Sequence, residues 1–262
     1  MRIVVCVKHV PDVQADRRFT DEGLVDRTQG DGTLNELDEN AVEAALVVAE
    51  AHGGEVVAVT MGPADAEDAV RRALQMGADQ AVHVQDDALA GSDVFSTAAV
   101  LAAAVRRLGQ DGPVDLVVTG MAALDGLMSV VPSLLAAELG LPQATLAAEL
   151  SVEDGAVRVR RDLDDATEVV RAPLPAVVSV TDQSNQPRYP NFKGIMAARK
   201  KPVTAWSLAD LGVDPGAVGA AGARTRVLEA TARPPRENRV LVTDDGEAGT
   251  RLAAFLVQNR LV

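Results

Sequence analysis

The stretch "VVAVTMGPADAEDAVRRALQMGADQAVHV", residues 56–84, holds one complete crossover of the fold. Two short β-branched runs, at 56–60 and 81–84, flank an alanine-rich segment, 64–76, with a different period. In that segment Ala69, Val70, Ala73 and Leu74 fall on one stripe, while Glu67, Asp68, Arg71 and Arg72 fall elsewhere. This is the spacing of a helix laid against a sheet. Pro63 suits its start and Gly77 its stop. The flanking runs are apolar on successive residues and have no solvent face, so they read as strands of a parallel sheet covered on both sides.

The same alternation extends in both directions. Strand-like runs recur at 2–7 (RIVVCV) and 114–119 (VDLVVT), and helical spacing recurs at 39–51, 93–108 and 127–139. Ser92-Asp93 and Gly140 supply a further start and stop. The expected class is α/β, a parallel sheet with helices on both faces. After Pro142 the texture changes, and residues 145–172 read as an antiparallel hairpin insertion. Asp154-Gly155 is the dipeptide that a two-residue type I′ turn favours. Residues 176–181 return to the main sheet. The segment 207–224 reads as a short helix followed by a flexible linker, its glycines at 212, 216, 219 and 222 following no strand. Beyond it come RVLEATA (226–232), Pro234-Pro235, RVLVTD (239–244) and a last helical pattern to Val262 that Gly249 interrupts. The expected organisation is a domain over 1–224 and an arm over 225–262.

Composition excludes several classes. With 262 residues and 47% hydrophobic content, the chain can bury a core and is not a disordered segment. Its formal net charge of −13 argues against general nucleic-acid binding, which needs an excess of Lys and Arg. The lone Cys6 cannot close an internal disulfide, which suits a reducing compartment. No run approaches the roughly 18 apolar residues of a membrane span, and the apolar start stops at Lys8. A soluble, cytoplasmic protein is expected.

No catalytic constellation stands out. His9, His52 and His83 are scattered, one cysteine builds no zinc pattern, and neither a Walker A run nor G-x-G-x-x-G occurs. The strand ends offer more, because open parallel sheets bind ligands beyond the carboxyl ends of their strands. Those ends are 7–12, 60–63 and 118–126; the last is rich in small residues and leads into a helix whose N–H groups can hold a phosphate. Spacing alone leaves nucleotide binding and a mere connection both open.

A second segment stands apart. "NQPRYPNFKGIMAARKKP", residues 185–202, carries Arg188, Lys193, Arg199, Lys200 and Lys201 without an acid, in a chain with 38 acids against 25 Lys and Arg. It also spends Phe192 and the only tyrosine, Tyr189, among prolines, although aromatics make up only 2% of the chain. One reading is that Arg199, Lys200 and Lys201 complement a helix C-terminus and Phe192 is buried locally.

Several runs together resemble the β subunit of electron-transfer flavoproteins over essentially the whole chain. They are V-K-H-V-P-D (7–12), D-E-N-A-V-E-A-A (38–45), A-V-T-M-G-P (58–63), A-L-Q-M-G-A-D (73–79) and D-L-V-V-T-G (115–120). The most specific are R-R-D-L-D-D-A-T-E-V-V-R-A-P-L-P-A-V-V-S (160–179) and the basic loop itself. The resemblance implies a fold related to adenine-nucleotide-binding domains and a heterodimer with an α subunit that holds most of the FAD. It implies a carrier without catalytic residues of its own, taking electrons from dehydrogenases, chiefly acyl-CoA dehydrogenases, to a membrane quinone reductase. It further implies AMP within β, in a pocket carried over onto Cys6, onto Asn35, Glu36, Leu37 and Asp38, and onto Met61. The rest of that pocket is the loop Gly120, Met121, Ala122, Ala123, Leu124, Asp125, Gly126, Leu127, Met128, Ser129, Val130 and Val131. Where family members with well-defined AMP sites carry an N-Q-T-like run, this chain has Ser129-Val130-Val131, so phosphate binding would rest on backbone N–H groups and Ser129. The electron-bifurcating branch holds a second FAD in β, but its longer polar motif is not evident here, which favours AMP. The basic loop corresponds to the family's recognition loop, with Arg188, Tyr189, Phe192, Lys193, Ile195 and Met196 as the expected partner contacts and Phe192 as the anchor. The arm is expected to pack on the α subunit. The alternative from another class is a stand-alone adenine-nucleotide-binding regulator of the universal-stress type, which needs neither the insertion nor the arm.

Overall fold

The structure, a computed structural model, describes all residues except 16, 17, 22, 28–30, 232 and 236–239. They divide into two units, Met1–Leu228 and Glu229–Val262. In the first unit β1 (Arg2–Cys6) is followed by a small antiparallel pair, β2 (His9–Pro11) and β3 (Gly32–Leu34), and by α1 (Glu36–His52). Then come β4 (Glu55–Met61), α2 (Glu67–Met76), β5 (Gln80–Val84), α3 (Val94–Gly109), β6 (Leu116–Gly120) and α4 (Val131–Leu139). The remainder is β7 (Gln143–Ala147), β8 (Glu149–Glu153), β9 (Ala156–Asp162), β10 (Thr167–Pro173), β11 (Ala176–Val180), α5 (Phe192–Ala198), β12 (Val203–Trp206) and the single turn α6 (Gly219–Gly222).

Seven strands form one sheet in the order β12-β5-β4-β1-β6-β11-β7, and every pair in it is parallel. The residues explain the layering. In β1, Ile3 and Val5 join the apolar cluster of α1 and α2, while Val4 and Cys6 join that of α3 and α4. Both sides of each central strand are therefore buried, as the continuous apolar runs require. The stripe Ala69, Val70, Ala73 and Leu74 is buried on α2, and Gly77 ends that helix at φ +139. On α3, Asp93 accepts from the backbone N–H groups of Phe95 and Ser96 at 3.1 and 3.0 Å, the N-cap expected of an Asp at that place.

Within the first unit, three expectations change. The insertion is a three-stranded antiparallel sheet, β10-β9-β8, and residues 145–147 belong to the main sheet as part of β7. Its tight turn is at Asp154-Gly155, with φ of +47 and +69, the two positive values that a type I′ turn needs. The helix expected from 127 starts at Val131, because Leu127 and Ser129 hold left-handed backbone (φ +50 and +53) and Pro132 sits in the first turn. The segment 207–224 is packed rather than a linker. Leu208 and Val218 are buried, and Ala220 N–H donates to the Ala90 carbonyl at 2.8 Å. A Cβ at Gly219 would lie 1.9 Å from the Ala88 carbonyl oxygen, so that glycine permits close approach rather than flexibility.

The second unit contains α7 (Ala248–Gln258), along which Leu252, Phe255 and Val257 are exposed. Gly249 lies in its first turn and does not interrupt it. Of the apolar run 239–244, the first residue is outside the described ones, and no strand forms over the rest.

Candidate functional site

The strand order locates the site. From β1 the chain builds β4 and β5 on one side and then crosses through α3 to β6 on the other. The crevice beyond the carboxyl ends of β1 and β6 is thus the topological switch point, where sheets of this kind bind ligands.

The N-terminal end of α1 is inserted there. Asn35 precedes the helix, donates its backbone N–H to the Lys8 carbonyl at 2.9 Å, and is fully buried. Its side chain reaches the loop after β6, donating to the Ala122 carbonyl at 2.9 Å and accepting from Leu124 N–H at 3.0 Å. One amide thereby fixes the loop against the end of β1, 87 residues from Ala122 in sequence. Gly120 makes the approach possible. A Cβ there would lie 2.5 Å from Asp38 Oδ1 and 2.7 Å from the Leu37 carbonyl oxygen.

Two carboxylates in this crevice are shifted in opposite directions. Asp38 is buried and accepts from Lys8 N–H at 2.8 Å. Burial pushes its carboxyl up to about 7, against the pull of Asn35, the Lys8 and Gly120 N–H groups and the Lys8 charge. Asp125 has a buried side chain too, and burial pushes it upward, but Lys8 and Arg27 override that and keep it below the usual carboxylate range. Lys8 Nζ donates to one Asp125 oxygen at 2.8 Å, and Arg27 pairs with the other. Lys8 and Arg27 thus both meet the ionised Asp125, with Asp38 hydrogen-bonded to the Lys8 backbone beside them. Cys6 is pushed up to about 12, first by burial and then by the Asp38 charge, so it remains a thiol. It behaves as a small apolar residue.

Of the residues expected here, the structure brings Cys6, Asn35, Leu37 and Asp38 together with Gly120 through Asp125. Met61 packs on the same apolar cluster as Cys6, on the α3 side of the sheet. Glu36 is exposed, as are Gly126, Leu127, Met128 and Ser129 at the loop tip, which leads through Val130 to α4. Val130 gives α4 no side-chain cap, so the first N–H groups of that helix have no side-chain acceptor from it. Sequence reasoning misses Lys8 and Arg27 as site residues. Lys8 stands in a quoted strand end, but Arg27 is 98 residues from its partner and carries no local signal.

The basic loop has its own geometry. Tyr189 is 89% and Phe192 79% exposed, which removes the reading in which Phe192 is locally buried. Asn191 caps α5, its side chain accepting from Gly194 N–H at 2.8 Å, and this sets Phe192 at the first helical position. Ile195 is half-buried and Met196 exposed. The cations divide. Lys193, Arg199 and Lys200 are exposed, and no ion pair among the described residues engages them. Lys201 instead donates to the Ala78 carbonyl at 2.5 Å, and Arg188 pairs with Glu43 and Glu50 at 2.8 and 2.6 Å.

Comparison with known proteins supplies the remaining finding. A family model described as "Electron transfer flavoprotein domain" matches residues 23–211. The chain is 42% identical, over 99% of both chains, to "Electron transfer flavoprotein subunit beta" of Mycobacterium leprae. It is 36% identical, over 98% of itself and 97% of the relative, to "Caffeyl-CoA reductase-Etf complex subunit CarD" of Acetobacterium woodii. At 33% identity, over 94% of both chains, it is similar to "Electron transfer flavoprotein subunit beta" of Megasphaera elsdenii.

Proposed function

The chain belongs to the electron transfer flavoprotein family as a β subunit, and we propose that it is the nucleotide-holding, partner-docking half of an FAD-carrying heterodimer. In this reading the FAD, held mainly by the α subunit, supplies the redox chemistry. The β chain contributes no catalytic residue. Electrons arrive from dehydrogenases, chiefly acyl-CoA dehydrogenases, and leave to a membrane quinone reductase, with the carrier in the cytoplasm. The name of the Acetobacterium relative joins an Etf subunit to a reductase of a CoA ester, which supports CoA-ester enzymes as the partner class. The stand-alone regulator reading is set aside, because similarity runs through the antiparallel insertion and the arm as well as the α/β core.

The observation that carries the nucleotide part is the switch-point crevice, where Lys8 and Arg27 both reach the β6 loop. Both meet Asp125 there, and at the start of α4 the Val131 and Ser133 N–H groups are open to a phosphate, Pro132 having none and Leu134 N–H being given to the Val130 carbonyl. Ser129 adds a hydroxyl at the exposed tip. These residues fit a nucleoside monophosphate such as AMP, whose role would be to tie the β6 loop to α1. Denaturing the purified heterodimer and identifying released nucleotides by mass spectrometry tests this. About one AMP per β chain and one FAD per heterodimer are expected. Two FAD and no AMP would overturn the AMP assignment, and release of no adenine compound beyond the single FAD would remove the nucleotide site.

A further inference from the structure

The family resemblance counts Arg188 among the partner contacts, but the structure turns it inward. Its backbone N–H and Nε donate to Glu43 Oε2 at 3.0 and 2.8 Å, and Nη2 reaches Glu43 Oε1 at 3.1 Å. Nη1 and Nη2 also reach the two Glu50 oxygens at 2.6 and 3.1 Å. One guanidinium therefore forks onto two carboxylates of α1, and Glu43 among them is buried. Three residues earlier, Asn185 donates to the Asn40 carbonyl at 3.0 Å and Asn40 donates back to the Asn185 carbonyl at 3.0 Å. Next to Arg188, Tyr189 lies over the Arg72 guanidinium at 5.5 Å, and Arg72 is paired with Glu39 at 3.1 Å. Glu39, Glu43 and Glu50 share one stripe of α1, and this helix face grips the chain that leads to Phe192.

We propose that Arg188 is a positioning residue, which clamps the docking loop to α1 so that Tyr189 and Phe192 are presented already ordered to the dehydrogenase. The proposal rests on the docking reading of the loop. A loop that must be ordered on binding loses affinity, and a loop ordered beforehand does not. The doubly paired Arg188 contributes little net charge outward, so attraction of an acidic partner falls to Lys193, Arg199 and Lys200. The clamp and the steering charges are then different residues with different kinetic signatures. Loss of the clamp raises KM for the dehydrogenase at every salt concentration. Loss of steering charge changes the salt dependence itself.

The test uses the FAD-loaded heterodimer with an acyl-CoA dehydrogenase that reduces the wild type. Arg188→Ala should raise KM for the dehydrogenase about tenfold, the effect of having to order two aromatic anchors on binding, with kcat within about twofold. The salt slope of kcat/KM should keep its wild-type value. Arg188→Lys keeps the charge but cannot fork onto two carboxylates, and it should resemble Arg188→Ala. Removing Arg188 strands the buried Glu43 carboxylate, which destabilises. The double variant Arg188→Ala with Glu43→Gln removes that charge, so its melting temperature should recover while KM stays raised. An unchanged KM in Arg188→Ala, a KM that recovers along with stability in the double variant, or full rescue by Arg188→Lys would each overturn the proposal. Phe192→Ala separates the layers. A raised KM there with none in Arg188→Ala removes the clamp alone, whereas an unchanged KM in both removes the docking reading as well.

Discussion

Asp38 offers the sharpest test of the crevice, because its burial and its hydrogen bonds pull in opposite directions. In the unfolded chain its carboxyl releases its proton near 3.8, and in the folded protein it holds it to about 7. The gap between those values corresponds to about 4 kcal/mol, at roughly 1.36 kcal/mol for each pH unit. Folding takes up a proton between them. The contribution to stability is therefore fully present below 3.8, is lost progressively as pH rises to about 7, and changes no further above that. Asp38→Asn keeps the shape and removes the titration, so the wild-type minus variant difference isolates this one group from the other acids.

Between about pH 5 and pH 7 that difference should fall by about 2–3 kcal/mol, and between about pH 8 and pH 9 it should be flat. Denaturant titration of the isolated β chain can follow it through Trp206, the only tryptophan, which lies in β12 of the main sheet. A constant offset between the two proteins is expected as well, since the amide that replaces the carboxylate would point donors at N–H groups that Asp38 accepts from. The pH dependence of the difference is the informative quantity. A difference that stays level from about pH 5 to pH 8 would refute the reasoning. It would mean that Asn35, Lys8 and Gly120 outweigh burial and keep the carboxylate ionised in the fold.

Gly120→Ala should destabilise the β chain by about 1–3 kcal/mol and lower nucleotide content with it, since the new Cβ meets Asp38 Oδ1 and the Leu37 carbonyl, the second of which is rigid backbone. Wild-type denaturation would show that the end of α1 can withdraw. Phe192→Ala should lower steady-state electron transfer from the dehydrogenase by about 30-fold, the equivalent of about 2 kcal/mol for an interface hot spot. Dithionite reduction of the flavin should not change, and unimpaired turnover would remove the docking role of Phe192. Lys200→Gln should flatten the salt dependence of that rate, whereas Lys201→Gln should act on stability, because Lys201 is tied to the Ala78 carbonyl. Limited proteolysis should cut the isolated chain beyond Leu228 and be suppressed in the heterodimer; equal cleavage rates would show that the arm does not pack on its partner.

What the sequence made legible was everything decided over a few residues. The period of 64–76, the two-faced apolar runs and the Asp154-Gly155 dipeptide each dictate local backbone, and each formed as its chemistry requires. Errors arose where a local reading competed with a distant neighbour. The glycines of 207–224 look like a linker until Gly219 is set against the Ala88 carbonyl, where no side chain fits. The helix of 127–139 has apolar spacing from its first residue, but the loop before Val131 is pinned to Asn35, so the helix starts late.

Charged residues were the least legible, for a physical reason. Their roles depend on partners brought close by the fold, and the sequence between those partners says nothing of the pairing. Arg27 and Asp125 are 98 residues apart, and Arg188 and Glu43 are 145. Counted along the chain, Arg188, Lys193, Arg199, Lys200 and Lys201 make one basic patch. Counted by partner, Arg188 is neutralised twice, Lys201 is fastened to a carbonyl, and three cations are left facing outward. The patch that an acidic dehydrogenase surface would meet is therefore less charged than the sequence suggests. In the docking reading, more of the affinity comes from Tyr189 and Phe192, the two rings that the proposed clamp would hold in place.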